Sequence, residues 1–234
     1  MKWIERQERV EYEAFSAIDE LCEEFNLKIS FYPKVYWVGR TLKFEDFGFP
    51  TCLEEEFDER INTKQSCYFY KEKVILINKY RWHDIFEESS HFLHISVSQL
   101  DLEKKTLREG LWMNVMVEML GFFGARVLGS KAVNDYFKYP DLMKFYSKEK
   151  DYFNLRLNEV INFGLSDSNQ FYNCFIYQQG YYLGDILFHN LIKGKISNKE
   201  ISTLFRDKLD GKNYSRNKVL ELRERFWKLP LVNC

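Results

Sequence analysis

The apolar positions near the start of the chain, Ile4, Val10, Phe15, Ile18 and Leu21-Cys22, fall on one face of a helix. They predict an amphipathic helix from Ile4 to Phe25. The pattern then becomes extended in Leu27–Phe31 and Lys34–Val38, around Pro33. Gly39 and Gly48-Phe49-Pro50 punctuate the next stretch, and residues 52–65 are acidic and irregular, a loop or a short helix. Cys67–Tyr70 and Val74–Asn78 are β-rich runs separated by Lys71-Glu72-Lys73, which predicts a hairpin. A short polar connector leads into a helix carrying Glu87 to His94. Beyond it the periodicity is almost entirely helical. A long apolar helix is expected from Leu102 to about Leu128, shorter ones at Asp141–Ser147 and Tyr152–Phe163, and another long one at Asn169–Ile192. Ser197-Asn198-Lys199-Glu200 is a capping-box pattern that starts a helix running to about Leu209. Ser215 is a candidate cap for a final helix ending before Pro230. The fold class expected is α+β: an N-terminal helix, a small mixed β-sheet, a helix bearing the chemistry, then a mostly helical C-terminal half. Residues 1–130 form the α+β region and residues 131–234 a helical subdomain, or the two make one continuous domain.

Composition narrows this picture. The chain has 234 residues, 45% of them hydrophobic and 18% aromatic, ample for a packed core. Its formal net charge of −1 lacks the basic footprint of a nucleic-acid binder. Cys22, Cys52, Cys67, Cys174 and Cys234 are far apart and form no CxxC pair, which points to free thiols in a reducing compartment. The charged start MKWIERQERVEYEAF has no apolar core of a signal peptide. Leu111–Leu128 is apolar but interrupted by Asn114, Glu118 and Arg126, so it reads as a buried helix rather than a membrane span. The expectation is a cytoplasmic protein that binds neither membrane nor nucleic acid.

The chemistry concentrates in Glu87-Glu88-Ser89-Ser90-His91-Phe92-Leu93-His94. A helix turns about 100° per residue, so with Glu87 at zero His91 falls near ~40° and His94 near ~−20°. One face then presents a carboxylate and two imidazoles, with Glu88 to one side, a set suited to a divalent metal. A solvated acidic face with locally satisfied histidines is the competing reading. Glu118 sits among Val115, Met116, Val117, Met119, Leu120 and Phe122-Phe123. A carboxylate buried there needs a partner, either a metal or a cation such as Arg126. In Gln178-Gln179-Gly180-Tyr181-Tyr182-Leu183-Gly184-Asp185 the two glycines predict close helix packing, the alternative being that Asp185 or the glutamines face the metal pocket. His83 is expected just before the helix, lining its entrance, while His189 belongs on a helix surface or in a satisfied core position. No GxxxxGK[ST], GxGxxG or GxSxG motif is present, and Glu88-Ser89-Ser90-His91 stands as a single ExxH.

The order Lys73–Asn78, then FEESSHFLH, then Glu118 in the next long helix resembles the zincin metallopeptidases, particularly small gluzincin-like members, over roughly the first 130 residues. The resemblance implies that Glu88 is the general base, His91 the second histidine ligand and Glu118 the downstream glutamate ligand. Glu87 stands where the family's first histidine belongs, and His94 on the same stripe is the candidate replacement. The metal implied is foremost zinc, with manganese or iron as alternatives because a carboxylate at Glu87 shifts preference toward harder ions. A peptide or protein substrate is implied, with Val74–Asn78 as the edge on which an extended chain pairs. Tyr181 or Tyr182 is implied as an oxyanion donor. The departure at Glu87 favours a rival: a catalytically inactive scaffold of the same fold that binds a protein partner.

Overall fold

A computed structural model describes residues 3–38, 57–58, 65–78, 81–98, 107–132, 157, 160, 169–208 and 216–228. The first helix, α1 (Trp3–Glu24), buries Val10, Ala14, Ala17, Ile18 and Leu21. It closes through Asn26, whose φ of 48° is the left-handed conformation that asparagine tolerates. The Leu27 N–H then donates back to the Cys22 carbonyl at 2.9 Å.

Three strands come next: β1 (Lys34–Trp37), β2 (Cys67–Phe69) and β3 (Val74–Ile77). β2 and β3 form the expected hairpin, antiparallel with Tyr68 opposite Ile75, and its turn ends at Lys73 with φ 58°. β1 lies parallel to β3 on the other side, Val35 opposite Ile75, so the sheet is mixed with order β1-β3-β2. The expectation that Val74–Asn78 offers a pairing edge is therefore overturned. β3 is the central strand, and all four of its residues are buried. That is why it reads as an unbroken apolar run rather than an alternating one. The outer side of β1 is met by α1: Gln7 Nε2 donates to the Val35 carbonyl and Gln7 Oε1 accepts from the Trp37 N–H, both at 2.7 Å. Among the described residues β2 is the edge left beside the next helix.

That helix, α2 (Trp82–Val97), packs against α1 and both hairpin strands, and α3 (Leu107–Ala132) lies along its far side. α4 (Asn169–Ile192) packs along α3, while α5 (Asn198–Arg206) touches α2. α5 has the anticipated capping box: Ser197 Oγ accepts from the Glu200 N–H at 3.3 Å and Glu200 Oε2 accepts from the Ser197 N–H at 3.0 Å. It ends at Arg206, a little before the expected Leu209. The last helix, α6 (Arg216–Leu222), runs on into a π-helical turn, Arg223–Trp227. The helices expected at 141–147 and 152–163 fall outside the described residues apart from the helical Leu157 and Val160, as does the 52–65 segment apart from Phe57 and Asp58.

One core cluster runs from Val10 in α1 to Trp227, taking in α2, α3 and α4, so residues on both sides of position 130 share it. Among the described residues one helical stretch, Gly110–Ser130, is long and apolar enough to cross a membrane. It is 83% buried inside the protein, as a central core helix must be.

Candidate metal centre

The residues between the two ends of the motif explain how its helix can sit so close to its neighbours. Ser89 and Ser90 are fully buried. Ser89 Oγ donates to the Ala14 carbonyl of α1 at 3.4 Å, and Ser90 Oγ donates to the Phe86 carbonyl at 2.6 Å. Ser90 faces Gly124 of α3, where an added Cβ would lie 2.2 Å from Oγ. One turn away, a Cβ on Gly121 would lie 2.2 Å from Cε1 of His91. α3 thus presents two bare backbone positions to α2, and the His91 ring occupies one of them. The opposite side of α3 is approached by α4 in the same way. A Cβ on Gly180 would meet Glu118 Cβ at 2.4 Å, and one on Gly184 would meet the Met119 carbonyl at 2.7 Å. The glycine pair in α4 is a helix-packing device, as its spacing predicts, and it abuts the helix turn that carries Glu118.

This packing gathers Glu87, His91 and Glu118, each offering one ligand atom, with all three atoms within 4.8 Å of one another. His91 Nε2 and Glu118 Oε2 stand 3.9 Å apart. Two ligand atoms each ~2.1 Å from one tetrahedral ion would be ~3.4 Å apart, so about half an ångström of side-chain motion closes that pair onto an ion. The protonation states fit as well. Burial outweighs the attraction of Glu87 and the Val117 carbonyl at His91, and lowers its pKa, leaving a neutral imidazole. Burial alone would raise Glu87, but the hydrogen bond and charge of His83, then His91 and Tyr181, hold its carboxyl below its ordinary range. A neutral imidazole and ionised carboxylates are what a divalent cation requires.

The other expected site residues are placed differently. Glu88 is buried beside the group and outside it. His94 is also outside it: its ring meets Phe205 of α5 edge-on at 5.8 Å, fully buried, and neither ring nitrogen has a hydrogen-bond partner among the described residues. Three residues of helix separate His94 from His91 by about 60°. That is enough to aim one at α5 and the other at α3. Arg126, the alternative partner for Glu118, instead meets Asp185 at 3.3 Å, so Asp185 faces an ion pair rather than the metal group. His189 is partly exposed, with Nδ1 2.8 Å from the Asp185 carbonyl oxygen.

Two members of the site carry no motif of their own. His83 Nε2 lies 2.7 Å from Glu87 Oε2, one turn earlier on α2. Tyr181 of α4 hydrogen-bonds the same carboxylate, and burial followed by the charges of Glu87 and Glu118 pushes its phenol pKa up. The i, i+4, i+8 spacing of His83, Glu87 and His91 was the available signal for the first, while nothing local marks Tyr181 over Tyr182. No protein-family model matches the chain, and no curated protein or solved structure matches it.

Proposed function

We propose that this chain is a zincin-like, metal-dependent hydrolase acting on a peptide or protein. The observation that supports it is the meeting of Glu87 and His91 from one helix with Glu118 from the next. A divalent ion held there supplies Lewis-acid chemistry, polarising a carbonyl and making water more acidic. Glu88, next to Glu87 on the helix, accepts a proton from the attacking water at its carboxylate and returns it to the leaving amine. Tyr181 and His83 keep the Glu87 carboxylate ionised and directed. Zinc, manganese and iron(II) are the candidate ions, the last two favoured by a donor set with two carboxylates.

A second reading has its own observation: Glu87 stands at the first ligand position and is engaged by His83 and Tyr181. In that reading the chain is an inactive scaffold that binds a protein partner. Metal content separates the two. Untagged protein loaded in turn with zinc, manganese, iron(II), cobalt and nickel is expected to retain an ion stoichiometrically by elemental analysis, and His91→Ala to lose it. Glu88→Gln is expected to keep the ion while peptide hydrolysis falls ~10²–10⁴-fold. Equally little metal in the unsubstituted protein and in His91→Ala would remove the metal reading and leave the scaffold.

A further inference from the structure

The departure of this chain from the zincin pattern lies at Glu87, and the surroundings of that residue are specific. Its carboxylate is buried and gripped from two directions. His83 approaches along α2 at 2.7 Å, a charge-assisted hydrogen bond of ordinary length. Tyr181 approaches from α4. Both donors are set by one ring: Phe122 of α3 stacks on Tyr181 with centroids 4.8 Å apart and meets the His83 ring edge-on at 6.5 Å. Phe122 lies one turn beyond Glu118 and next to Gly121, so the helix that brings Glu118 and seats His91 also fixes the two groups that hold Glu87.

We propose that His83 and Tyr181 are the outer shell of the metal centre, positioning Glu87 as a carboxylate ligand in place of the first histidine. The inference rests on the metal reading above. His83 is a positioning residue and not a fourth ligand, because its nitrogen already lies closer to the Glu87 oxygen than two ligand atoms of one ion approach each other (~3.4 Å). The arrangement has an electrostatic consequence. Two carboxylates cancel the charge of a divalent ion, whereas a set with one carboxylate and two imidazoles leaves a net positive charge in the interior. Ligating carboxylates are themselves commonly hydrogen-bonded, and loss of such a partner costs ~10–100-fold in metal affinity. The first-ligand position is thus rebuilt around a carboxylate, and the ligand class is a divalent cation tolerant of oxygen donors.

The test uses the full chain, with zinc and manganese affinities from equilibrium dialysis and the visible spectrum of the cobalt(II) form. His83→Ala and Tyr181→Phe are each expected to weaken binding ~10–100-fold and to change the cobalt spectrum. His83→Gln, which restores an N–H donor, is expected to recover most of the affinity. Tyr181→Phe keeps the ring on Phe122, so it reports the lost hydroxyl with the packing intact. A folded His83→Ala or Tyr181→Phe chain that binds as tightly as the unsubstituted one overturns the inference and leaves the metal reading standing. So does His83→Gln binding as weakly as His83→Ala. An unsubstituted chain that binds neither ion overturns both.

Discussion

The imidazole of His91 lies on the bare backbone of Gly121: a Cβ there would stand 2.2 Å from Cε1, 2.5 Å from Nδ1 and 2.6 Å from Nε2. A methyl group cannot enter without displacing the whole ring. Gly121→Ala gains up to ~1 kcal/mol of helix propensity. Overpacking of a buried site costs ~1–3 kcal/mol. The expected net effect is a loss of up to about 2 kcal/mol in urea denaturation, accompanied by loss of the proposed metal binding as His91 leaves Glu118. A Gly121→Ala chain that is stabilised and still binds metal would show that the ring has room to move.

The ion pair between α3 and α4 makes a separate prediction. Arg126 and Asp185 are 6% and 8% exposed, and the guanidinium also lies over the Phe188 ring at 4.8 Å. Asp185→Ala leaves a buried cation without its carboxylate, which typically costs ~3–5 kcal/mol. Replacing both residues, Arg126→Met with Asp185→Leu, is expected to recover most of that loss because neither member of the buried Arg126–Asp185 pair is left without the other. Chemical denaturation of the three chains checks it. A single-substitution loss below ~1 kcal/mol would mean the pair is solvated rather than buried.

His94 predicts an acid-labile fold. Burial, and then the proximity of His91, lower its pKa from 6.5 to about 3. The unfolded chain takes up a proton near the ordinary value that the folded chain refuses. Stability contributed by the neutral ring is therefore complete above about 6.5 and falls as the pH drops toward about 3. From this residue alone the protein is expected to be roughly 2 kcal/mol less stable at pH 5 than at pH 7. His94→Leu removes that slope. Denaturation midpoints at the two pH values measure it, and an equal acid sensitivity in both chains would place the responsible group elsewhere.

What the sequence by itself determined was local. Periodicity located α1, α2 and α4, turn chemistry located the β2–β3 hairpin, and Ser197 with Glu200 announced the start of α5. The angular order of Glu87, His91 and His94 also comes from the helix alone, and the apolar neighbours of Glu118 marked it as needing a partner, although packing leaves that side chain partly exposed rather than buried. Which neighbour each side chain meets was decided only by tertiary packing. His91 reaches Glu118 because Gly121 and Gly124 let α2 settle onto α3. Arg126 turns to Asp185 because Gly180 and Gly184 bring α4 against the same helix. His94, one small rotation away from His91, faces Phe205. Val74–Ile77 became central when β1, distant in sequence, added on its far side. A helix or a hairpin is fixed by residues within a turn or two of one another. The convergence of His83, Glu87, His91, Glu118 and Tyr181 depends on how closely three helices approach. That distance is set by the absence of side chains at glycines whose partners the sequence does not name.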